Sequence, residues 1–218
     1  MNSDAIVYIV DDDAGVRMSL ELVMESASLA VRGYASGEEF LASFDRERPG
    51  CLVLDLRMPG LSGIDVLQRL RGDHNEMPAI IISGHADVKA TVRSMKLGAI
   101  DVLQKPFEPG ELLEAVRDGI QKSISAQKRL SEQKGIQRRM QNLTPREFDL
   151  LKLVVAGLPN KRIAERLNIS IKTVANHRAS LMAKTQALNA ADLARLTTIA
   201  GIQPDDSRDD TTTGARND

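Results

Sequence analysis

Residues 51–60, with the sequence CLVLDLRMPG, decide the fold because an apolar run leads directly into an aspartate and a Pro-Gly turn. A short apolar run between turn residues is typical of a strand that is buried on both faces. Open α/β sheets carry their chemistry just outside the carboxyl ends of the strands, and Asp55 stands at such an end. Capping of the following turn is an alternative role for this carboxylate, and the ten residues alone leave both roles open.

The rest of the first half repeats the pattern of strand and helix. Strand-like runs are predicted at residues 6–10, 30–34, 51–54, 79–82 and 100–103. Each run is followed by a segment in which apolar residues recur at helical spacing, and residues 36–39 form a capping box at one helix start. Five strands that alternate with five helices predict an α/β fold, a doubly wound five-stranded parallel sheet with right-handed crossovers.

The second half has a different composition. Residues 122–141 are rich in Gln, Lys, Arg and Ser, which predicts a helical linker that continues the fifth helix. Residues 144–147, Thr-Pro-Arg-Glu, mark a helix start by a capping box and by proline at the first helical position. Three more short helices follow. The predicted organisation is therefore an α/β domain at 1–121, a linker at 122–141, a small all-α domain at 142–201 and a disordered acidic tail at 202–218.

Composition argues against several classes of protein. No run approaches the roughly 18 apolar residues of a membrane span, so we expect no membrane association. The first residues lack the basic region of a signal peptide. Cys51 is the single cysteine and has no partner, which fits a reducing cytoplasm. The three histidines show no zinc-site spacing with one another or with Cys51.

The net charge of −1 conceals a separation of charge along the chain. Residues 1–121 contain 12 Lys and Arg against 20 Asp and Glu, a net charge of −8, whereas residues 122–203 contain 15 against 5, a net charge of +10. The remaining residues, 204–218, contribute 2 against 5, or −3. An acidic block joined to a basic block predicts two domains with different partners, and phosphate backbones are a fitting partner for the basic one.

Polar and charged residues follow four of the predicted strands. Asp11, Asp12 and Asp13 follow the first, Asp55 ends the third, Ser83 ends the fourth and Lys105 follows the fifth. Strand ends of a parallel sheet meet at one edge, so these groups should form one site. Clustered carboxylates repel one another unless a cation joins them, and oxygen ligands suit Mg²⁺. Such a site would let Asp55 attack a phosphoryl group while Mg²⁺, Lys105 and the Ser83 hydroxyl stabilise the phosphoryl oxygens.

At these motifs the chain resembles a known family. Residues 5–122 are similar to the receiver domain of bacterial two-component response regulators, with the matching motifs IVDDD, LDLRMPGLSG, IISGH and QKPF. The resemblance implies that a sensor histidine kinase phosphorylates Asp55 and that Lys105-Pro106 is a cis peptide. Asp11 and Asp12 would hold Mg²⁺ together with Asp55 and the backbone carbonyl of Arg57.

The resemblance also assigns a switch, and the sequence departs from the family there. Ser83 would be the switch hydroxyl, and Lys105 would pair with the phosphate. Three residues before that lysine the family usually has an aromatic residue that turns inward with the switch, and here the residue is Val102. An aliphatic side chain cannot make that rotation, so another group must relay the switch or the coupling through the fifth strand is weaker.

The basic half contains a pattern of its own. A short helix, a tight turn and a serine-capped helix predict a helix-turn-helix. The motifs LTPRE, GLPNKRIA and NISIKTVANHR are similar to the LuxR-type output domain of the NarL/FixJ family, and the receiver motif LRMP with the stretch AGLPNK resembles the FixJ branch of that family. Basic residues lie on both helices: Lys161, Arg162, Arg166, Lys172, Arg178 and Lys184.

The resemblance implies specific contacts with promoter DNA. Lys172 and Thr173 would contact phosphates or bases, Asn176 and Arg178 would face the groove, and His177 would pack between helices or contact a phosphate. Lys161 belongs to the same expected interface. Family members often have Lys at the position of Ala175, so the DNA sequence preference of relatives does not transfer to this chain.

Three functions fit the sequence. The first is a response regulator that is phosphorylated on Asp55, dimerises, binds promoter DNA and controls transcription, with contact to RNA polymerase as a further expectation. The second is a Mg²⁺-dependent phosphatase with an aspartate nucleophile. Such enzymes of the haloacid dehalogenase type need an acid two residues after the nucleophile, where this chain has Arg57. The third is a regulator that binds DNA without phosphorylation, which only Val102 favours. We expect no enzyme activity beyond self-phosphorylation from a phosphodonor and slow autodephosphorylation.

Overall fold

The structure, a computed structural model, describes residues 4–73, 75–84 and 88–202. Residues 203–218 of the predicted tail, and two of the three histidines, His74 and His85, lie outside the described residues. The described chain divides into two compact units, one ending at Lys128 and one beginning at Arg129. Within these residues no helix is both long enough and apolar enough to cross a membrane.

The first unit is an α/β sandwich around one parallel sheet. Its strands are β1 (Ile6–Val10), β2 (Ala30–Tyr34), β3 (Gly50–Asp55), β4 (Ala79–Ser83) and β5 (Ala99–Gln104). The helices that alternate with them are α1 (Ala14–Ser26), α2 (Gly37–Ser43), α3 (Gly63–Gly72), α4 (Val88–Lys96) and α5 (Pro109–Gln141). All strand pairs are parallel and the order is β2-β1-β3-β4-β5, which confirms the predicted doubly wound sheet.

Two apolar layers cover the sheet. Every residue of β1, β3 and β4 is buried, so side chains of both faces are enclosed as expected for a parallel sheet. One layer contains Tyr8, Phe40 and Leu54, and the other contains Ile9, Cys51 and Val116. Gly119 of α5 allows a close approach to the sheet, because a Cβ atom there would lie 2.5 Å from the Cys51 sulfur.

Helix α5 continues without interruption to Gln141, so the helix contains the division between the two units and passes through Gly135. Two side chains of its middle part bind the first residue of β3 and the loop before it. Ser123 Oγ accepts a hydrogen bond from the Gly50 amide at 3.0 Å, and Gln127 donates to the carbonyl of Glu47.

The second unit is helical. It contains the end of α5 and the helices α6 (Pro145–Val155), α7 (Asn160–Leu167), α8 (Ile171–Thr185) and α9 (Ala190–Ala200). Thr144 and Glu147 form the predicted capping box of α6, and Ser170 and Asn189 cap α8 and α9. Leu150, Val174 and Leu193 lie in its core. The turn between α7 and α8 passes through Asn168, which has a φ of 52° and ends α7 in the left-handed region.

Candidate functional site

The candidate site lies where the order of the strands reverses. β1 has β2 on one side and β3 on the other, so the crevice between β1 and β3 is the topological switch point at which open α/β sheets bind ligands. Val10 pairs with Leu54 in this ladder, and the next residues, Asp11 and Asp55, therefore lie side by side. Both are buried, with residue exposures of 1% and 7%. The sheet thus places two carboxylates together in its crevice.

The ammonium group of Lys105 joins the two carboxylates. Its Nζ lies 2.8 Å from Oδ2 of Asp11 and 2.8 Å from Oδ1 of Asp55. Burial of Lys105 acts to lower its pKa, but the hydrogen bonds from the ammonium to the two aspartates outweigh this effect and raise the pKa above its ordinary value. Lys105 therefore remains a cation at neutral pH and offsets part of the negative charge of the crevice.

The other oxygen of each aspartate is held by the backbone. The amide of Arg57 donates to Oδ2 of Asp55 at 2.7 Å, and the amide of Asp13 donates to Oδ1 of Asp11 at 2.9 Å. Gly63 packs against the end of β3, where a Cβ atom would lie 2.4 Å from the carbonyl oxygen of Asp55. These contacts fix Asp55 in its position before any ligand binds.

The three consecutive aspartates have separate positions. Asp11 points into the crevice, Asp12 is exposed, and Asp13 caps α1 by accepting from the amides of Val16 and Gly15. These two hydrogen bonds hold the pKa of Asp13 below its usual value. The sequence grouped Asp13 with the site, and the structure corrects this expectation, because the Asp13 carboxylate caps α1.

Ser83 and Lys105 come together at the neighbouring strand ends. Ser83 is 5% exposed, and its carbonyl accepts from the Lys105 amide at 2.8 Å. The Lys105-Pro106 peptide is cis, as the resemblance implied. Val102 is half-buried against the core layer that also contacts Ala90 in the first turn of α4 and Leu97 just after its end.

The predicted DNA contacts differ in exposure. Lys161, Lys172 and Asn176 are exposed, whereas Thr173, His177 and Arg178 are partly buried. The Thr173 hydroxyl and the Ser170 hydroxyl lie 2.8 Å apart at the cap of α8. Arg178 donates to Asn160 Oδ1 at 3.1 Å and so connects α8 to α7.

Glu147 has a role that sequence reasoning missed. Besides its part in the capping box of α6, its carboxylate accepts from Ser180 at 2.6 Å and from Lys184 at 2.7 Å on α8. Burial acts to raise the pKa of Glu147, but the bonds from Lys184, Ser180 and Thr144 outweigh it and lower the pKa to about 2. The capping box identified Glu147 in the sequence, but nothing in the sequence identified its partners. The sequence placed Lys184 among the basic residues of the helix-turn-helix, and in the structure Lys184 forms a partly buried ion pair with Glu147.

Comparisons with known proteins agree with both halves of this description. Residues 7–117 match the family described as "Response regulator receiver domain", and residues 141–197 match "Bacterial regulatory proteins, luxR family". The chain is 41% identical to the transcriptional regulatory protein FixJ of Rhizobium meliloti (strain 1021) over 93% of this chain and 99% of that protein.

Two solved structures are similar over most of the chain. The response regulator StyR is 38% identical, with a TM-score of 0.83 over 89% of this chain and 98% of the other. Full-length FixJ from B. japonicum is also 38% identical, with a TM-score of 0.53 over 90% of this chain and 97% of the other. The chain belongs to the response regulators that join a receiver domain to a LuxR-type DNA-binding domain.

Membership of this family establishes the general function of the chain. The chain is a DNA-binding transcriptional regulator, as the first of the three functions predicted. Its relatives are named as regulators, which agrees with the expectation that no separate substrate is converted.

Receiver domains of this family typically bind Mg²⁺ at the acidic pocket. Asp11 and Asp55 fit such an ion, since both are hard oxygen donors and share one cation in a crevice that remains negatively charged. Among the described residues, no group of three or more Asp, Glu, His or Cys side chains converges closely enough to hold a metal on its own. Asp12, the third predicted ligand, is exposed at the rim. A bound ion would therefore need Asp12 to turn inward or the Arg57 carbonyl and water to complete its coordination.

Proposed function

We propose that Asp55 accepts a phosphoryl group from a sensor histidine kinase and that phosphorylation controls dimerisation and promoter binding. The observation that carries the proposal is the bridge from Lys105 to both Asp11 and Asp55, with 2.8 Å to each carboxylate. The cation lies where charge would develop on a phosphoryl group bound to Asp55.

Each residue of the site would have a separate role in the phosphoryl transfer. An Asp55 oxygen attacks the phosphorus of a phosphohistidine, so that an oxygen–phosphorus bond forms as the nitrogen–phosphorus bond breaks. Lys105 moves from sharing two carboxylates to pairing with a phosphoryl oxygen, and the Ser83 hydroxyl binds another. Asp11, Asp12, Asp55 and the Arg57 carbonyl would hold Mg²⁺, which supplies further positive charge to the phosphoryl oxygens. Small phosphodonors would react in the same way, and water would slowly hydrolyse the product.

Helix α4 is suited to respond to this reaction. Its buried side carries Ser94, which is fully buried and whose hydroxyl has no hydrogen-bond partner among the described residues. Its outer side exposes Val88, Val92 and Met95, with exposures of 72%, 47% and 48%. The unpaired buried hydroxyl of Ser94 reduces the free energy gained by packing α4 on its own domain, and the exposed apolar side offers a surface to a partner. Movement of Ser83 toward the phosphoryl group would alter the packing of Val102 and α4, and a second copy of the chain would cover the exposed side.

The helical unit completes the proposal. Lys161, Lys172 and Thr173 would contact phosphates, Asn176 would reach base edges, and His177 and Arg178 would support the helix and contact the backbone of DNA. Two half-sites held by a dimer bind much more tightly than one. Helix α9 would add a dimer contact, and RNA polymerase would be recruited at the promoter. The free and buried Cys51 fits action in the cytoplasm.

The test uses the full chain with Mg²⁺ and the phosphodonor acetyl phosphate. Phosphorylation should add a single phosphoryl group by mass spectrometry, increase the dimer fraction in light scattering and strengthen binding to a promoter fragment. Asp55→Asn should lose all three effects. Asp73→Asn, a matched change at an exposed carboxylate paired with Arg46, should keep them.

One outcome would favour the third function instead. If Asp55→Asn and the wild type dimerise and bind the promoter equally with or without acetyl phosphate, the phosphorylation proposal is wrong. The chain would then be a regulator that acts without phosphorylation, as Val102 at the usual aromatic position allows.

A further inference from the structure

The exposed side of α8 consists of two rows with different chemistry. Ile171, Ala175 and Ala179 recur every fourth residue and are all exposed, so they form an apolar row along the helix. Lys172 and Asn176, also exposed, form a polar row beside it. In a helix-turn-helix this side of the second helix enters the major groove.

The apolar row fits thymine. In the major groove only thymine offers a methyl group, which alanine and other apolar side chains contact. Alanine is also short, so the helix can approach the floor of the groove closely at Ala175 and Ala179. Ile171 is 53% exposed and extends the row by one turn toward the start of the helix.

The polar row fits adenine. The side-chain amide of asparagine can make two hydrogen bonds to adenine at once. Its NH₂ group donates to N7 while its carbonyl oxygen accepts from the N6 amino group. Asn176 lies in the middle of the exposed side, one turn after Lys172 and next to Ala175. Lys172 is the second residue of α8, beside the Ser170–Thr173 cap, where backbone phosphates approach.

Arg178 is the one arginine of α8, and its guanidinium is held toward α7. Arg178 donates to Asn160 on α7 and is only partly exposed. Lys184, on the last turn of α8, donates to Glu147. The exposed middle of α8 therefore offers thymine and adenine contacts, while its one arginine is oriented toward α7.

We propose that this response regulator reads an A·T-containing half-site, with Asn176 as the residue that specifies adenine and the row Ile171–Ala175–Ala179 as the surface that specifies thymine methyl groups. The inference rests on the proposed placement of α8 in the DNA groove. The chemistry recognised is adenine N6/N7 together with adjacent thymine methyl groups.

Selection from random duplex DNA tests the inference directly. The full chain with Mg²⁺ and acetyl phosphate should enrich half-sites with adjacent A·T pairs at the centre of each footprint. Two base analogues then test single atoms of the selected site. Uracil in place of thymine removes only the methyl group and should weaken binding about threefold per contacted position. Replacement of the contacted adenine by 7-deazaadenine removes the N7 acceptor and should weaken binding about tenfold or more.

Variants connect these effects to residues. Asn176→Ala should weaken binding to the selected site by about 10- to 100-fold and should remove the sensitivity to 7-deazaadenine. Its binding to non-specific DNA at low salt should be unchanged, because that binding depends on phosphates. Asn142→Ala, the same change at an exposed residue before α6, should bind like the wild type.

Different failures have different meanings. Selected half-sites centred on G·C pairs, or equal binding to thymine and uracil sites, would overturn the inference while DNA binding itself stands. Retained sensitivity to 7-deazaadenine in Asn176→Ala would overturn the role of Asn176. Failure of the full chain to bind any duplex, even at low salt, would overturn the placement of α8 in DNA and this inference with it.

Discussion

The ammonium group of Lys105 lies 2.8 Å from the Asp55 carboxylate, although 50 residues separate the two in the chain. The same ammonium contacts Asp11, so one cation balances two carboxylates that the sheet places side by side. The Lys105 ammonium thus stabilises the resting site, and in the proposed function it would pair with an oxygen of the incoming phosphoryl group.

Removal of this cation should destabilise the receiver domain and increase its dependence on Mg²⁺. Lys105→Met leaves two buried carboxylates without their shared partner, which should lower the free energy of unfolding by about 2 kcal/mol. The loss is smaller than for a fully buried ion pair because the lysine is partly exposed. Mg²⁺ should recover most of this loss and should raise the melting temperature more for the variant than for the wild type. Calorimetry with and without Mg²⁺ measures both effects. Lys128→Met, at an exposed position of α5, should change neither, and an equal response of both variants to Mg²⁺ would contradict the shared-charge argument.

Close packing of α5 on the sheet should make Gly119 intolerant of a side chain. In Gly119→Ala the new Cβ would lie 2.5 Å from the Cys51 sulfur and 3.1 Å from Ile100 Cδ1, so we expect a loss of about 1–3 kcal/mol in the free energy of unfolding. The double variant Cys51→Ala with Gly119→Ala should recover part of the loss. Gly135→Ala in the same helix meets no atom within 4 Å and should instead stabilise by up to about 1 kcal/mol. Thermal unfolding of the wild type, Cys51→Ala, Gly119→Ala and the double variant gives the coupling between the two positions, and additive effects of the two changes would argue against the contact.

The thiol of Cys51 should be inert in the folded protein. Burial raises its pKa to about 12, so almost no thiolate is present at pH 8. A disulfide reagent such as Ellman's reagent should leave the native chain unmodified and should label one thiol per chain in urea. Fast labelling of the native protein would show that α5 leaves the sheet more readily than this packing allows.

The Glu147 carboxylate should make the helical unit sensitive to acid. The pKa of Glu147 in the folded unit is about 2, below the ordinary value of 4.5, so the unfolded chain binds the proton more readily. Its stabilisation is complete above about pH 4.5 and is lost as the pH falls toward 2. Glu147→Gln should cost on the order of 2 kcal/mol at pH 7, allowing for the partial exposure of Lys184.

The pH dependence separates this charge effect from a loss of packing. Urea unfolding of the helical unit between pH 6 and 3 should show a smaller loss of stability for Glu147→Gln than for the wild type. Glu132→Gln, where both partners of the ion pair with Arg195 are exposed, should follow the wild type. Parallel curves for all three proteins would refute the lowered pKa.

Sequence patterns predicted most of the fold because each pattern is local. The apolar runs located all five strands within one or two residues, and side-chain caps such as Ser36 and Thr144 located helix starts. Gly135 has a low helix propensity, yet α5 passes through it, because buried Ile136 and Met140 anchor the following turns in the core of the helical unit. Tertiary packing there outweighs the helix propensity of one residue.

By itself, the sequence determined which groups could meet at the edge of the sheet. It contains the order of the strands along the chain, and it places four groups at strand ends: Asp11, Asp55, Ser83 and Lys105. Only the tertiary structure decided how they meet. Asp11 and Asp55 both bind the Lys105 ammonium. Asp12 is exposed, and Asp13 caps α1. The tertiary structure also paired Glu147 with Lys184 across two helices and left Asn176 exposed beside Ala175. The reason is physical: periodicity fixes which face of an element is buried, but the partner of a charged group depends on distances between elements that no local pattern encodes.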